Sequence, residues 1–175
     1  ALLATASATA GPQSGDALYA DWQPRARELA TELMIVDTHI DVPYRLQRGW
    51  VNVAEATDGG DFDYPRARRG GLDVPFMSIY VPASYENAGA REFADSLIDL
   101  MERVAREAPR KYTIVRSPRE ARAAFRSGRI GLAMGMENGA PIEGSLANLR
   151  HFYERGIRYI TLAHSRSNHI ADSSY

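Results

Sequence analysis

The segment Asp37-Thr38-His39-Ile40-Asp41 combines side-chain types that bind metal ions in proteins. It ends an apolar run, and this pattern predicts a buried strand over residues 33–41. Because strand side chains alternate between two faces, Asp37, His39 and Asp41 are expected to point the same way. Zinc accepts imidazole nitrogen and carboxylate oxygen as ligands. We therefore interpret His39 and Asp41 as half of a metal site, the alternative being a strand end whose polar side chains meet only solvent.

Two further strand ends carry side chains suited to metal binding or acid–base chemistry. Glu137 follows a predicted strand over residues 129–136, and His164 follows another over residues 157–163. In α/β barrels the chemistry lies at the carboxyl ends of the strands, so these side chains are expected to meet the first pair. Taken alone, Glu137 could instead cap the turn that follows it, and His164 could be a hydrogen-bonded core histidine.

The elements that must position these residues alternate between strands and helices. The apolar runs of the core strands are nearly continuous, which favours an α/β fold with a parallel sheet covered by helices. Ser117 opens a predicted helix with a capping box, and a further helix is predicted over residues 145–155. Residues 47–71 predict a long loop. The other predictions are helices over 21–33 and 92–107 and strands over 76–81 and 112–115.

Composition excludes several classes of function. The 175 residues carry a net charge of −1 and are 45% hydrophobic, so no charge excess predicts a nucleic-acid partner. The chain has no Cys, and any metal must therefore be bound by histidine and carboxylates. His151, within a predicted helix, and His169, in the loop after His164, are interpreted as structural. A solvated helix face accounts for the arginines at helical spacing, Arg119, Arg122, Arg126 and Arg129.

Residues 1–10, ALLATASATA, are small and apolar. They are too few to span a bilayer, and they resemble the end of a secretory signal before an Ala-x-Ala cleavage site. We therefore predict an Ala-rich leader or disordered terminus over residues 1–20 and a protein that is exported, periplasmic or membrane-associated. Because the charged start of such a signal is not seen, a cytoplasmic protein stays open.

In their order along the chain, these motifs resemble the membrane dipeptidase (renal dipeptidase) family, the M19 metallopeptidases. The resemblance runs from about residue 33 to residue 175. Besides the first motif it is carried by GGLDVPFMSIYVP at 70–82, GMENG at 135–139, LRHFYERGIRYITLAH at 149–164, Asn168, and Ala171-Asp172-Ser173.

The resemblance implies a (β/α)8 TIM-type barrel that holds two zinc ions and hydrolyses dipeptides through a hydroxide bridging the metals. It implies that His39 and Asp41 bind one metal and that Glu137 bridges both, as ligand and as catalytic residue. It implies that His164 binds the substrate and polarises the reacting centre, also as a catalytic residue. A dipeptide is thus the expected partner, and a homodimer is left open.

Two departures from the family pattern concern the pocket. The family often has Glu-Gly-Gly-His where this chain has Glu137-Asn138-Gly139-Ala140, a change that keeps the bridging glutamate. It commonly has Gly-Gln-Phe-Trp where this chain has Val74-Pro75-Phe76-Met77. The second change is expected to alter the shape of the pocket, which leaves the preferred dipeptide open.

Length is the larger departure, because a closed barrel needs roughly 200 residues or more. We therefore expect residues 21–175 to be the N-terminal half of one metallohydrolase barrel domain. Two further histidines and an aspartate of the site are expected on the other half. Two other functions stay open: a binuclear amidohydrolase that opens lactams, lactones or phosphoesters, and a non-catalytic, incomplete paralogue that acts as a binding domain.

Overall fold

The computed structural model describes residues 22–86 and 88–175. The predicted leader, and with it the prediction of export, lies outside the described residues. The chain divides into two units between Leu33 and Met34, and the second unit is Met34–Tyr175. In the first unit, helix α1 (Gln23–Glu32) begins with a proline in its first turn and buries none of its residues. In the described part of the chain, no helix has the length and apolar character needed to cross a membrane.

A parallel sheet forms the centre of the second unit. It consists of β1 (Ile35–Ile40), β2 (Leu72–Tyr80), β3 (Tyr112–Ile114), β4 (Ile130–Glu137) and β5 (Ile157–Thr161). Strand β2 lies between β1 and β4, and every pairing is parallel. Strand β3 pairs with the first half of β4 and β5 with the second half. The predicted parallel α/β sheet is thus confirmed.

The helices of the second unit are α2 (Val42–Arg48), α3 (Tyr64–Gly70), α4 (Ala90–Glu107), α5 (Pro118–Arg126) and α6 (Leu146–Arg155). The sequence predicts α4, α5 and α6, but neither α2 nor α3. The side chains of Ser117 and Ser145 accept hydrogen bonds from the backbone N–H groups of Glu120 and Asn148. This confirms Ser117 as the predicted N-cap and makes Ser145 the N-cap of the helix predicted from residue 145. Gly156 ends α6 in the left-handed conformation, at a φ of 110°.

The prediction of a continuous loop over residues 47–71 is wrong. This segment contains α3, whose N-cap is Asp63 and whose only buried residue is Ala67. The helix lacks an apolar stripe, and hydrophobic periodicity therefore cannot detect it. The Asp63 side chain also accepts hydrogen bonds from Thr57 and Arg66. Burial raises the pKa of Asp63, but these hydrogen bonds outweigh it, and the pKa lies well below its usual range.

The two faces of the sheet have different chemistry. Parallel pairing places Met77 beside Met134 and Ile79 beside Met136, and all four side chains lie in the main hydrophobic core with α4. Ser78 pairs with Gly135 and Tyr80 with Glu137 on the opposite face. Because strand side chains alternate, burying the methionine and isoleucine face under the helices turns the polar residues to the other side.

Strand β1 is confirmed, but its predicted burial is wrong. Among the described residues it pairs only with β2, and Ile35 and Val36 are 36% and 42% exposed. Its register shifts between Asp37 and Ile40. Over this stretch β1 advances three residues, whereas β2 advances only two, from Pro75 to Met77. Such a bulge re-aims side chains, so the strict alternation assumed for Asp37, His39 and Asp41 is interrupted here.

Candidate metal centre

His39, Asp41 and Glu137 meet at the carboxyl end of the sheet. Each offers one ligand atom, and these atoms lie within 4.8 Å of one another. His39 Nε2 is 3.1 Å from Glu137 Oε2 and 3.4 Å from Asp41 Oδ1. The structure therefore brings together all three residues predicted to bind metal, although 96 or more positions of sequence separate Glu137 from the other two.

The bulge in β1 explains why His39 and Asp41 reach the centre and Asp37 does not. Ile40, which pairs with Met77, turns toward the main core. Its neighbours on either side consequently face away from the core, and Asp41 lies at the start of α2. Asp37 instead accepts a hydrogen bond from the backbone N–H of His39 at 2.9 Å and stays outside the group of ligand atoms.

Glu137 is the last residue of β4, and only 15% of its side chain is exposed. Its two carboxylate oxygens face different partners. Oε2 accepts a hydrogen bond from the buried Ser78 hydroxyl at 2.7 Å and faces His39, whereas Oε1 lies 2.9 Å from His164 Nε2. Ser78 therefore anchors Oε2, and the two carboxylate oxygens face different histidines.

The alternative role of Glu137 as a cap is not observed. Asn138 makes the turn instead: its Oδ1 accepts the backbone N–H of Ala140, and its Nδ2 donates to Val81 O at 2.8 Å. Asn138 has a φ of 75°, a left-handed conformation that asparagine tolerates better than most residues. This backbone conformation explains why a glycine can stand at the same place in the family pattern noted above.

His164 lies in the loop after β5, three positions beyond Thr161. Besides its contact with Glu137, its ring meets the Tyr80 ring edge to face, with centroids 5.1 Å apart. Its Nδ1 atom is buried without a hydrogen-bond partner among the described residues, and its backbone carbonyl accepts a hydrogen bond from Ser173. His164 therefore joins the centre but is not one of the three residues whose ligand atoms cluster.

The two remaining described histidines lie elsewhere. His151 Nε2 is 2.8 Å from Asp95 Oδ1, in an ion-pair network between α6 and α4 that also includes Arg155. His169 is exposed in the loop after β5. The interpretation of His151 as structural agrees with these contacts.

Sequence reasoning missed three residues that surround the centre: Ser78, Tyr80 and Tyr159. Tyr159 O–H donates to Thr38 O at 3.0 Å and lies 3.1 Å from His39 Nδ1. Burial, followed by the nearby negative charge of Glu137, raises the pKa of Tyr80 and of Tyr159. Alternation along β2 could have placed Ser78 and Tyr80 on the face of Glu137, but no local signal marks Tyr159.

The donor set fits a zinc-type ion. Imidazole nitrogen with carboxylate oxygens is a combination that zinc accepts, and no thiolate is needed. Glu137 is largely buried, and a buried carboxylate is stable only when hydrogen-bonded or paired with positive charge. A cavity of about 600 Å³ opens beside Asp41, lined among others by Tyr44, Arg48 and Asp61. Its volume lies in the range of small-molecule sites.

Comparison with known proteins gives a consistent family. The family model described as membrane dipeptidase (peptidase family M19) matches residues 23–175. An uncharacterised dipeptidase of Schizosaccharomyces pombe is 31% identical over 172 aligned residues, which cover 87% of this chain and 41% of that protein. The chain thus spans less than half the length of this curated relative.

Solved structures share the fold. A crystal structure of dipeptidase AC, a metallopeptidase of family M19, is 25% identical with a TM-score of 0.71, covering 78% of this chain and 44% of that one. The probable dipeptidase PvdM of Pseudomonas aeruginosa is 23% identical with a TM-score of 0.74, covering 89% and 40%. A Rhodobacter sphaeroides metallopeptidase, bound to a phosphinate mimic of L-Ala-D-Ala, is 23% identical with a TM-score of 0.69, covering 78% and 47%. The predicted α/β fold of the TIM-barrel type is confirmed.

Proposed function

Because the chain belongs to the membrane dipeptidase family, peptidase family M19, we propose that it is part of a zinc-dependent dipeptidase. The observation that carries the proposal is the meeting of His39, Asp41 and Glu137 within 4.8 Å at the carboxyl end of the sheet. Zinc held by these side chains would supply an acidified water molecule as nucleophile and would polarise the carbonyl of the scissile peptide bond.

The protein's own groups have distinct roles in this proposal. His39 and Asp41 would hold one metal, and the Glu137 carboxylate would be shared between both metals. The opposite orientation of its two oxygens, toward His39 and toward His164, supports the bridging role. Ser78 occupies one lone pair of Oε2 and so limits rotation of the carboxylate. A glutamate fixed in this way holds its ligand atoms in place before the substrate arrives.

His164 is the residue that we assign to the substrate. About 37% of its side chain is exposed, so a ligand can reach it, and Glu137 Oε1 orients Nε2. With Oε1 bound to a metal instead, the Nε2–H group of His164 would be free to donate a hydrogen bond to the substrate oxygen on which negative charge develops. The cavity beside Asp41, with a volume of about 600 Å³, is large enough for a dipeptide side chain.

Further ligands are needed for two metals. Zinc in proteins is usually bound by about four ligands, and the cluster contains three ligating side chains among the described residues. We therefore place the remaining ligands outside residues 22–175, in the part of the relatives that this chain does not cover. The homodimer left open in the sequence analysis stays a prediction.

The proposal is tested by metal analysis and by hydrolysis assays on the same preparation of the full natural protein. We expect about two zinc-type ions per active site, release of free amino acids from dipeptides, and loss of activity with chelator that returns on adding zinc. A panel containing a lactam, a lactone and a phosphoester distinguishes the other amidohydrolase reactions. The proposal is contradicted if the protein contains no metal and its activity is unaffected by chelator. It is also contradicted if the protein is active only on the lactam, the lactone or the phosphoester.

A further inference from the structure

Tyr159 links strand β5 to the first metal-binding strand. Its phenolic oxygen lies 3.1 Å from His39 Nδ1 and donates a hydrogen bond to the backbone carbonyl of Thr38 at 3.0 Å. Tyr159 is separated from His39 by 120 positions in the sequence. The contact therefore belongs to the tertiary structure and not to the local motif.

The donors and acceptors around the Tyr159 phenolic oxygen fix the direction of its two hydrogen bonds. A neutral phenol has one proton, and a carbonyl oxygen can only accept, so the proton of Tyr159 points at Thr38 O. The oxygen lone pairs are then left to accept a hydrogen bond from His39 Nδ1–H. A proton on Nδ1 leaves Nε2 as the nitrogen whose lone pair is free for a metal. Nε2 is also the atom that faces Glu137 at 3.1 Å and Asp41 at 3.4 Å.

We infer that Tyr159 is a positioning residue that holds His39 with Nδ1 protonated and Nε2 directed at the metal. Histidine ligands commonly donate their second N–H to an acceptor that fixes the ring, and that acceptor is usually a carboxylate, a backbone carbonyl or water. Here it is a phenol anchored on the backbone of the residue that precedes the ligand. The inference rests on the proposed metal-dependent function.

Two features of the sheet allow the Tyr159 side chain to reach His39. In a flat sheet β1 and β5, separated by β2 and β4, would lie about 14 Å apart, so the sheet must curve to bring the two side chains together. In β5 the register shifts between Ile157 and Ile160, a bulge that turns Tyr159 toward the polar face while both isoleucines pack on the main core.

Gly135 leaves the space that the ring occupies. A Cβ atom at Gly135 would lie 2.0 Å from Tyr159 Cζ, too close for any side chain to share the position. The ring also packs against Phe76, with centroids 5.4 Å apart. Ring packing and hydroxyl contact can therefore be separated by experiment, because Tyr159→Phe removes only the oxygen.

The test compares Tyr159→Phe with Tyr153→Phe in the full natural protein. Tyr153 is 61% exposed on α6, where Arg158 stacks on its ring, so its substitution is a matched loss of one hydroxyl away from the centre. The first readout is zinc affinity measured by competition with a chromophoric chelator. We expect Tyr159→Phe to bind zinc roughly 10- to 100-fold more weakly, as for other partners of metal-binding histidines. Tyr153→Phe should match the wild type.

The second readout is the His39 Nδ1–H resonance in protein labelled with ¹⁵N-histidine, assigned by its loss in His39→Gln. It should be present in the wild type and in Tyr153→Phe, with or without zinc, and be lost to solvent exchange in Tyr159→Phe. Unchanged affinity together with an unchanged resonance in Tyr159→Phe overturns the inference, as does an equal loss in both tyrosine variants. A wild type that binds no zinc contradicts the proposed function instead, since the resonance of the metal-free protein tests Tyr159 independently.

Discussion

Glu137 has the most constrained side chain at the centre, and its surroundings give it a role that no other glutamate in the described residues shares. One oxygen faces His39 and the Ser78 hydroxyl, and the other faces His164. Glu143, six positions later, is exposed and contacts Asn148 instead. The two residues are therefore a natural test pair.

We expect Glu137→Gln to lose at least one metal and most of the hydrolytic activity. The amide has nearly the same shape as the carboxylate, but it lacks the negative charge and one of the two acceptor oxygens that two metals need. Glu143→Gln should keep metal content and activity. Elemental analysis and a dipeptide assay on both variants make the measurement, and equal effects would refute the bridging role.

His164 is predicted to contact the substrate and not a metal. His164→Ala should therefore keep the metal content of the wild type while turnover falls on the order of 10²-fold, the scale for losing one oxyanion donor. His169→Ala, a substitution of an exposed histidine in the same loop, is the control and should have little effect. Loss of metal in His164→Ala would make it a ligand.

At the scale of elements, two bulges and one left-handed turn aim the side chains. The bulge in β1 turns His39 and Asp41 to one side, and the bulge in β5 turns Tyr159 toward them. The turn after β4 depends on Asn138, which is 2% exposed and bonds both Val81 and Ala140. Each feature departs from regular geometry next to the candidate centre.

Substitutions at Asn138 separate backbone strain from lost hydrogen bonds. Asn138→Ala loses all three side-chain hydrogen bonds, to Val81, Ala140 and Asn168, and keeps a φ of 75°, so it should lower the free energy of unfolding by about 3 kcal/mol. Asn138→Gly loses the same bonds but relieves the backbone, and its cost should be about 1 kcal/mol smaller. Urea unfolding measures both, and an alanine variant as stable as the glycine variant would contradict this account.

At the scale of the whole second unit, the candidate centre connects strands that are not neighbours. His39 and Asp41 belong to β1 and the start of α2, and Glu137 belongs to β4, with β2 between them. Strand β1 is exposed and pairs only with β2 among the described residues. A metal bound by these residues would thus link the edge strand β1 to the inner strand β4.

Zinc is therefore expected to stabilise the native state. At a free concentration about 100-fold above its dissociation constant it should add about 2.7 kcal/mol and raise the melting temperature by roughly 5–10 °C. Asp41→Asn should reduce this shift, and Asp58→Asn, at an exposed carboxylate outside the cluster, should preserve it. Thermal unfolding with and without zinc makes the comparison. A shift that survives in Asp41→Asn excludes Asp41 as a ligand.

The sequence by itself determined the order of the strands and of helices α1, α4, α5 and α6, the helix starts at Ser117 and Ser145, and the strand ends that carry His39, Asp41, Glu137 and His164. These features depend on interactions between residues a few positions apart, namely the periodicity of apolar side chains and hydrogen bonds to free backbone groups at helix ends. Both kinds of signal can be recognised in the sequence without knowing which strands pair in the sheet.

Only the tertiary structure decided how those residues face one another. Strand register and sheet curvature arise from pairing between distant segments, and a shift of one residue turns a side chain to the other face. For this reason the sequence could not exclude Asp37 from the cluster, reveal the exposure of β1, or show that Ser78 supports Glu137. The contact of Tyr159 with His39 needs the β5 bulge, the curved sheet and the space above Gly135 together, because no one of them alone would bring the phenol to the imidazole.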